Sequence, residues 1–339
     1  MKDAFRRVKA EKALPMILAA LLVGTAIAQA AAVHAATPSQ TSESSQNKVA
    51  QQGLELLMNG EPDAAIKVFK KIQTDDSNSP LGYLMEADAL WWKIYFTTGD
   101  LVDPDVFEAA STSTTPYDSS FSNMVSQTIA KARANRNASK DVARSYLYEG
   151  MAYALRARLA AMRDRNMAAA GAAKKMRSLL LTALDHDKNL PDAYAGLGLY
   201  DYFVDTLPTI VKLLRWIIGL PGGNRVRGLQ EIEYAAKYGE LTHGEALFYL
   251  AKDYSRSSED QFAKSLELFK QLRTQYPRNG LWTMMVGSLE IRMGHAKDGE
   301  ALYYDVLNQD RGSQTVAGKA LYKAARNALK RRHPTEHIE

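Results

Sequence analysis

Apolar positions along this chain recur at helical spacing. In Gly60-Glu61-Pro62-Asp63-Ala64-Ala65-Ile66-Lys67-Val68-Phe69 a turn glycine precedes a stretch with Ala65, Phe69 and Ile72 on one face. The stretch before it carries Gly53 and, one turn on, Leu56. A large–small–large order returns at Tyr83, Ala87 and Leu90, at Tyr146, Gly150 and Tyr153, and at Tyr194-Ala195-Gly196-Leu197-Gly198. It returns again at Leu247, Leu250, Ala251 and Tyr254, followed by Phe269, Leu272 and Pro277, and finally at Val286-Gly287, before a turn at Gly294 and then Tyr303 and Val306. A small residue between two large ones lets two helices approach closely. The pattern predicts an all-α chain of about six helix pairs.

This grammar resembles the tetratricopeptide repeat, whose units stack into an α-α superhelix. Gln52 departs from it, standing where a leucine is usual. The array is irregular. Between Tyr153 and Met176 the chain is about fourteen residues longer than the repeat needs. Residues 156–182 contain no proline and only Gly171 as a weak breaker, so two long helices are expected there. A second excess lies between Tyr202 and Gly228. A third is the polar stretch 97–120, rich in Ser, Thr, Asp and Pro, which predicts an exposed loop.

Between residues 194 and 306 the order is more particular. Gly198-Leu199-Tyr200-Asp201-Tyr202 and Thr206-Leu207-Pro208 lead into an apolar helix and the segment 219–223, then Gly228-Leu229 and Tyr276-Pro277-Arg278-Asn279. This third of the chain is similar to the eukaryotic tetratricopeptide family of inclusion-body-clearance proteins at the mitochondrial outer membrane. The resemblance implies interaction with proteins or lipid droplets and carries no catalytic residues with it.

The N-terminus departs from that family. Arg6, Arg7, Lys9 and Lys12 precede an apolar run over residues 14–28, with Ala28-Gln29-Ala30 and Val33-His34-Ala35 as candidate cleavage sites. Residues 1–35 therefore read as an export signal to a bacterial periplasm, and an uncleaved membrane anchor stays open because the apolar region extends almost to Ala36. Residues 36–47 read as a polar, disordered linker, residues 48–332 as the helical domain, and residues 333–339 as a tail.

The charge of +5 is concentrated at that N-terminus, where Lys2, Arg6, Arg7, Lys9 and Lys12 face only Asp3 and Glu11. The remainder is nearly balanced and lacks the concentrated basic face of a nucleic-acid binder. Cysteine is absent, which excludes disulfides, thiolate nucleophiles and thiolate-held metal. His186, His243, His295, His333 and His337 show no zinc spacing. Asp185-His186-Asp187-Lys188-Asn189 opens like a calcium loop, but Leu190 replaces the turn glycine and Gly196 the closing glutamate. The segment 219–225 lacks the lysine and hydroxyl of a phosphate loop and follows an apolar helix instead of a strand. No metal site, cofactor or catalytic constellation is expected, and a binding role is favoured over an enzymatic one.

Three features bear on partners. Residues 208–220 are apolar nearly all round, with Leu213, Trp216 and Ile217 as candidates for a membrane-surface or plug helix; burial is the expected reading. The helix 314–332 carries Lys319, Lys323, Arg326, Lys330, Arg331 and Arg332 opposite Val316, Leu321 and Leu329, which suits a terminal cap. The concave face, lined by the first helix of each pair, is expected to present Trp91, Trp92, Leu147, Met151, Leu199, Tyr202, Met284 and Arg292, with the equal alternative that several of these side chains pack against the chain's own long insertions. Such a groove would take an amphipathic or apolar segment of a protein partner. The alternatives are that it carries or senses a small apolar ligand, or that the protein attaches to a membrane surface.

Overall fold

The computed structural model describes residues 38–97, 101, 113–207 and 219–335. The described residues form thirteen α-helices. Six consecutive pairs comprise α1 (Pro38–Met58) with α2 (Pro62–Asp75), α3 (Leu81–Thr97) with α4 (Asp118–Asn137), α5 (Val142–Met162) with α6 (Asn166–His186), α7 (Ala193–Thr206) with α8 (Arg225–Tyr238), α9 (His243–Tyr254) with α10 (Phe262–Gln275), and α11 (Gly280–Arg292) with α12 (Ala296–Asp310). The thirteenth, α13 (Val316–Arg332), ends the array. This is a tetratricopeptide-like all-α arrangement: the first helices are those that carry the large–small–large order, and each packs on its successor.

The small residues set how closely the pairs pack. A Cβ added to Gly198 of α7 would lie 2.6 Å from the carbonyl oxygen of Gly228 in α8. One added to Gly287 of α11 would lie 2.9 Å from that of Gly299 in α12. At both crossings backbone meets backbone, and any side chain would force the helices apart. The α1–α2 turn uses Gly60 at φ +81°, a conformation L-residues rarely adopt, with Pro62 opening the next helix where its missing N–H costs nothing.

The long helices fall at α5 and α6, 21 residues each. The break between them is not at Gly171, which sits exposed inside α6, but at Asp164, with φ +56°. The Arg163 guanidinium in that turn donates to Asp118 Oδ1 at 2.8 Å and ties it to the start of α4. Helix α1 starts at Pro38 instead of near Lys48, so most of the stretch read as a linker is helical. Near the middle of α1 two side-chain bonds tie it to the rest of the fold: Asn47 Nδ2 donates to Glu240 Oε2 at 3.0 Å, and Ser79 Oγ donates to Gln46 Oε1 at 2.8 Å. Leu101, within the stretch expected as an exposed loop, is buried, and its carbonyl accepts from Tyr95 Oη at 3.1 Å. Residues 1–35, read from the sequence as an export signal, and the apolar candidates Leu213, Trp216 and Ile217 lie outside the described residues.

The array closes on itself. The Met58 carbonyl at the end of α1 accepts from Trp282 Nε1 and Asn279 Nδ2, both at 3.0 Å. Arg278 pairs with Glu61 at 2.7 Å and donates its N–H to Asn59 Oδ1 at 3.2 Å. The last helix, α13, also packs against α3, and its buried face includes Ala317, Leu321, Ala325 and Leu329. Inside this closure the first helices meet through aromatic rings. Trp92 lies 5.5 Å from Phe248 and 6.2 Å, edge-on, from Trp282. Burying rings of this size supplies much of the core's apolar area.

Candidate functional site

Closure changes what the inner face can do. Trp91, Trp92, Leu147, Tyr202 and Met284, expected to line an open groove, are all core residues. Trp91 is 1% exposed and Met284 is fully buried. Tyr202 donates its hydroxyl to Glu259 Oε1 at 3.0 Å, and burial with neighbouring carboxylates pushes its pKa up. Arg292 donates to the Ser255 carbonyl at 2.6 Å and stacks over Phe262, 4.3 Å from the ring centre. Trp91, Trp92, Leu147, Tyr202 and Met284 are therefore shielded from any partner in this structure, while Arg292 is half-buried.

Met151 and Leu199 differ. Both are half-buried and line a cavity of about 950 Å³ bounded by α3, α5, α6 and α7. The cavity follows from the inserted length. Helices of 21 residues run about 31 Å, while the 14 residues of α7 run about 21 Å. The overhanging part of α6 is Asn166-Met167-Ala168-Ala169-Ala170-Gly171-Ala172-Ala173, which has almost no bulk with which to fill the space beneath it. Ala154, Ala157 and Ala161 of α5 are equally small, and all three line the cavity. Leu84, Leu155, Leu180, Phe203, Leu207 and Leu220 make up much of the remaining wall. Met167, 69% exposed, stands at its margin.

One side of the cavity is charged. Arg158 of α5 donates to Glu245 of α9, and its guanidinium lies 4.8 Å from the Tyr249 ring centre. Burial opposes the charge on Arg158, but Glu245, Tyr249 and Asp88 together hold its pKa well above the ordinary value. Asp88 of α3 lines the same wall. Burial, then the Glu245 charge, push its carboxyl well above the usual carboxylate range, with Arg158 acting the other way. Among the described residues its Oδ1 has no hydrogen-bond partner. Asp192, just before α7, is fully engaged at Oδ1, which accepts from the Leu241 and Thr242 N–H groups at 2.9 Å and from Thr242 Oγ1 at 2.8 Å. Asp88 and Glu245 also border a smaller cavity of about 260 Å³ beside α1.

Sequence reasoning missed Asp88, Arg158 and Glu245, because their helices meet only in three dimensions. One signal was present: Glu86 and Asp88 are the only charged residues in the otherwise apolar run 81–92. Among the described residues, no group of His, Asp or Glu side chains is arranged to hold a metal ion, and no helix is long and apolar enough to cross a membrane.

No protein-family profile matches the chain, and no curated protein matches it. Among solved structures it is similar to a thermophilic TPR protein of Thermus thermophilus, at 15% identity over 75% of this chain and 98% of that one, with a TM-score of 0.37.

Proposed function

We propose that this chain is a non-catalytic binding protein that receives an apolar ligand in the cavity between α5, α6 and α7. One observation carries the reading: a cavity of about 950 Å³ with a largely apolar wall and a few converging polar groups. That is the usual size and make-up of a small-molecule site. The resemblance of residues 194–306 to the inclusion-body-clearance family supports it, since that resemblance implies association with proteins or lipid droplets. The test is native mass spectrometry of protein purified without detergent. A retained apolar compound in the natural chain, absent from Ala170→Trp, supports the proposal; bare protein in both counts against it.

A second reading, protein docking, is favoured by a different surface. On α8 Tyr234 and Tyr238 are exposed with ring centres 4.8 Å apart, and Val226 is exposed one helical face along. Exposed aromatics grouped in this way suit a protein partner. Crosslinking in the native envelope, repeated with Tyr234→Glu and Tyr238→Glu, tests it; unchanged capture would argue against this face. The N-terminal segment, with its basic start and candidate cleavage after Ala30 or Ala35, supports a periplasmic location. N-terminal sequencing of the mature chain checks that placement.

A further inference from the structure

The cavity has an apolar body and one polar wall, and the two need not select the same feature of a ligand. Among the described residues the ionisable groups on its lining are Asp88, Arg158, Asp192, Tyr200 and Glu245. Four of them are already engaged. Arg158 and Glu245 pair with each other, Asp192 accepts three hydrogen bonds at one oxygen, and Tyr200 Oη donates to the Pro221 carbonyl at 2.8 Å. Asp88 is different: it is only 7% exposed, it lines the cavity, and among the described residues its Oδ1 has no hydrogen-bond partner. A buried polar atom without a partner is costly, and native structures seldom leave one without a reason.

The charge balance points the same way. Among the described residues three carboxyl groups line the cavity against one guanidinium, which is committed to Glu245, and burial holds the Asp88 and Asp192 carboxyls toward their neutral forms. A ligand carboxylate or phosphate would bring a further negative charge to this acidic wall. A neutral hydroxyl would donate to Asp88 Oδ1 but leave that carboxyl without a counter-ion. An ammonium group does both, since it donates to the orphan oxygen and gives the Asp88 carboxylate the counter-ion that Arg158, committed to Glu245, does not supply.

Resting on the reading of the cavity as a ligand site, we propose that its ligand is an apolar molecule ending in a primary amine, and that Asp88 accepts from that amine while the Ala-rich face of α6 covers the apolar part. Burial keeps Asp88 reluctant to ionise in the empty cavity, and an adjacent ammonium reverses that preference.

The experiment uses the full mature chain and three probes with the same apolar tail, octylamine, octanol and octanoate, each competing with the neutral dye Nile red. Octylamine should displace the dye at concentrations about tenfold or more below octanoate, with octanol between them. Asp88→Asn should bring octylamine to the level of octanol and leave octanol unchanged. Equal or better displacement by octanoate overturns the proposal, as does an Asp88→Asn protein that keeps the amine preference. Should that variant fail to fold, the amine-to-octanoate ratio of the natural chain decides the matter alone. Displacement by all three without preference defeats the amine proposal while the apolar site stands; failure of Nile red itself to bind defeats both.

Discussion

Trp282 Nε1 donates at 3.0 Å to the backbone carbonyl of Met58, 224 positions earlier in the chain. This bond, with Asn279 Nδ2 on the same carbonyl, joins the second half of the array to its first helix pair. An open superhelix would leave Met58 facing water and its inner aromatics on a groove. Here the indole is fully buried and its ring meets Trp92 and Phe248. Trp282→Ala should therefore cost about 3–5 kcal/mol, the usual loss for a large buried aromatic. Trp282→Phe should cost less, because it keeps an aromatic ring against Trp92 and Phe248 and loses only the indole N–H bond, while Asn279 still serves the Met58 carbonyl. Urea denaturation of both variants, followed by tryptophan fluorescence and circular dichroism, checks the order.

Gly171 and Gly198 should respond in opposite directions to the same change. Gly171 lies within α6 with nothing inside 4 Å of an added Cβ, so Gly171→Ala should stabilise by about 0.5–1 kcal/mol. Gly198→Ala would place its methyl against Gly228 backbone and should destabilise by about 1–3 kcal/mol. Thermal melts of the two variants beside the natural chain separate helix propensity from close packing.

The Arg158–Glu245 pair is a buried unit, with both side chains largely shielded from water. Arg158→Met leaves Glu245 and Asp88 facing each other without their cation and should destabilise by about 3–5 kcal/mol. The double variant Arg158→Met with Glu245→Leu should recover much of that loss. A double-mutant cycle measures it, and additive losses would mean that the two groups are independent.

Asp310 gives a pH dependence of known sign. Burial alone raises its pKa from an ordinary 3.8 to about 6, and its Oδ2 has no hydrogen-bond partner among the described residues. The folded state thus holds a proton that the unfolded state has lost between about pH 4 and pH 6. Stability from this group is present below pH 4 and is lost as pH rises through 6. Asp310→Asn, neutral throughout, should match the natural chain near pH 4 and gain on it up to about pH 6.5. Because the site is only half-buried, the gain discounted for solvent screening is about 1 kcal/mol, or about 2 °C in Tm. Melting curves at pH 4, 6 and 8 test this.

The helix pairs were legible because close packing leaves a local mark: Gly198, Gly228, Gly287 and Gly299 sit where backbones meet. The long α5 and α6 were legible from the lack of breakers across 156–182. Closure was not, because it depends on small rotations accumulated over several pairs, and no single residue encodes their sum. Trp91, Trp92 and Met284 therefore look like groove residues in sequence and become core residues in the fold. The charged wall was hidden for a related reason. Asp88, Arg158 and Glu245 sit on α3, α5 and α9, and each alone resembles an ordinary charge on a helix. The alanine run of α6 reads as high helix propensity, while its consequence, unfilled space, appears only beside α5 and α7.

A Nile red titration decides whether the α5–α6–α7 cavity takes an apolar ligand. The natural chain should bind the dye at one saturable site with a blue-shifted emission. Ala170→Trp, which puts an indole into the cavity and narrows it, should weaken that binding by about tenfold or more, while Tyr238→Ser on the outer face of α8 should leave it unchanged. Binding that survives Ala170→Trp and falls with Tyr238→Ser would place the apolar site on the surface and contradict the account.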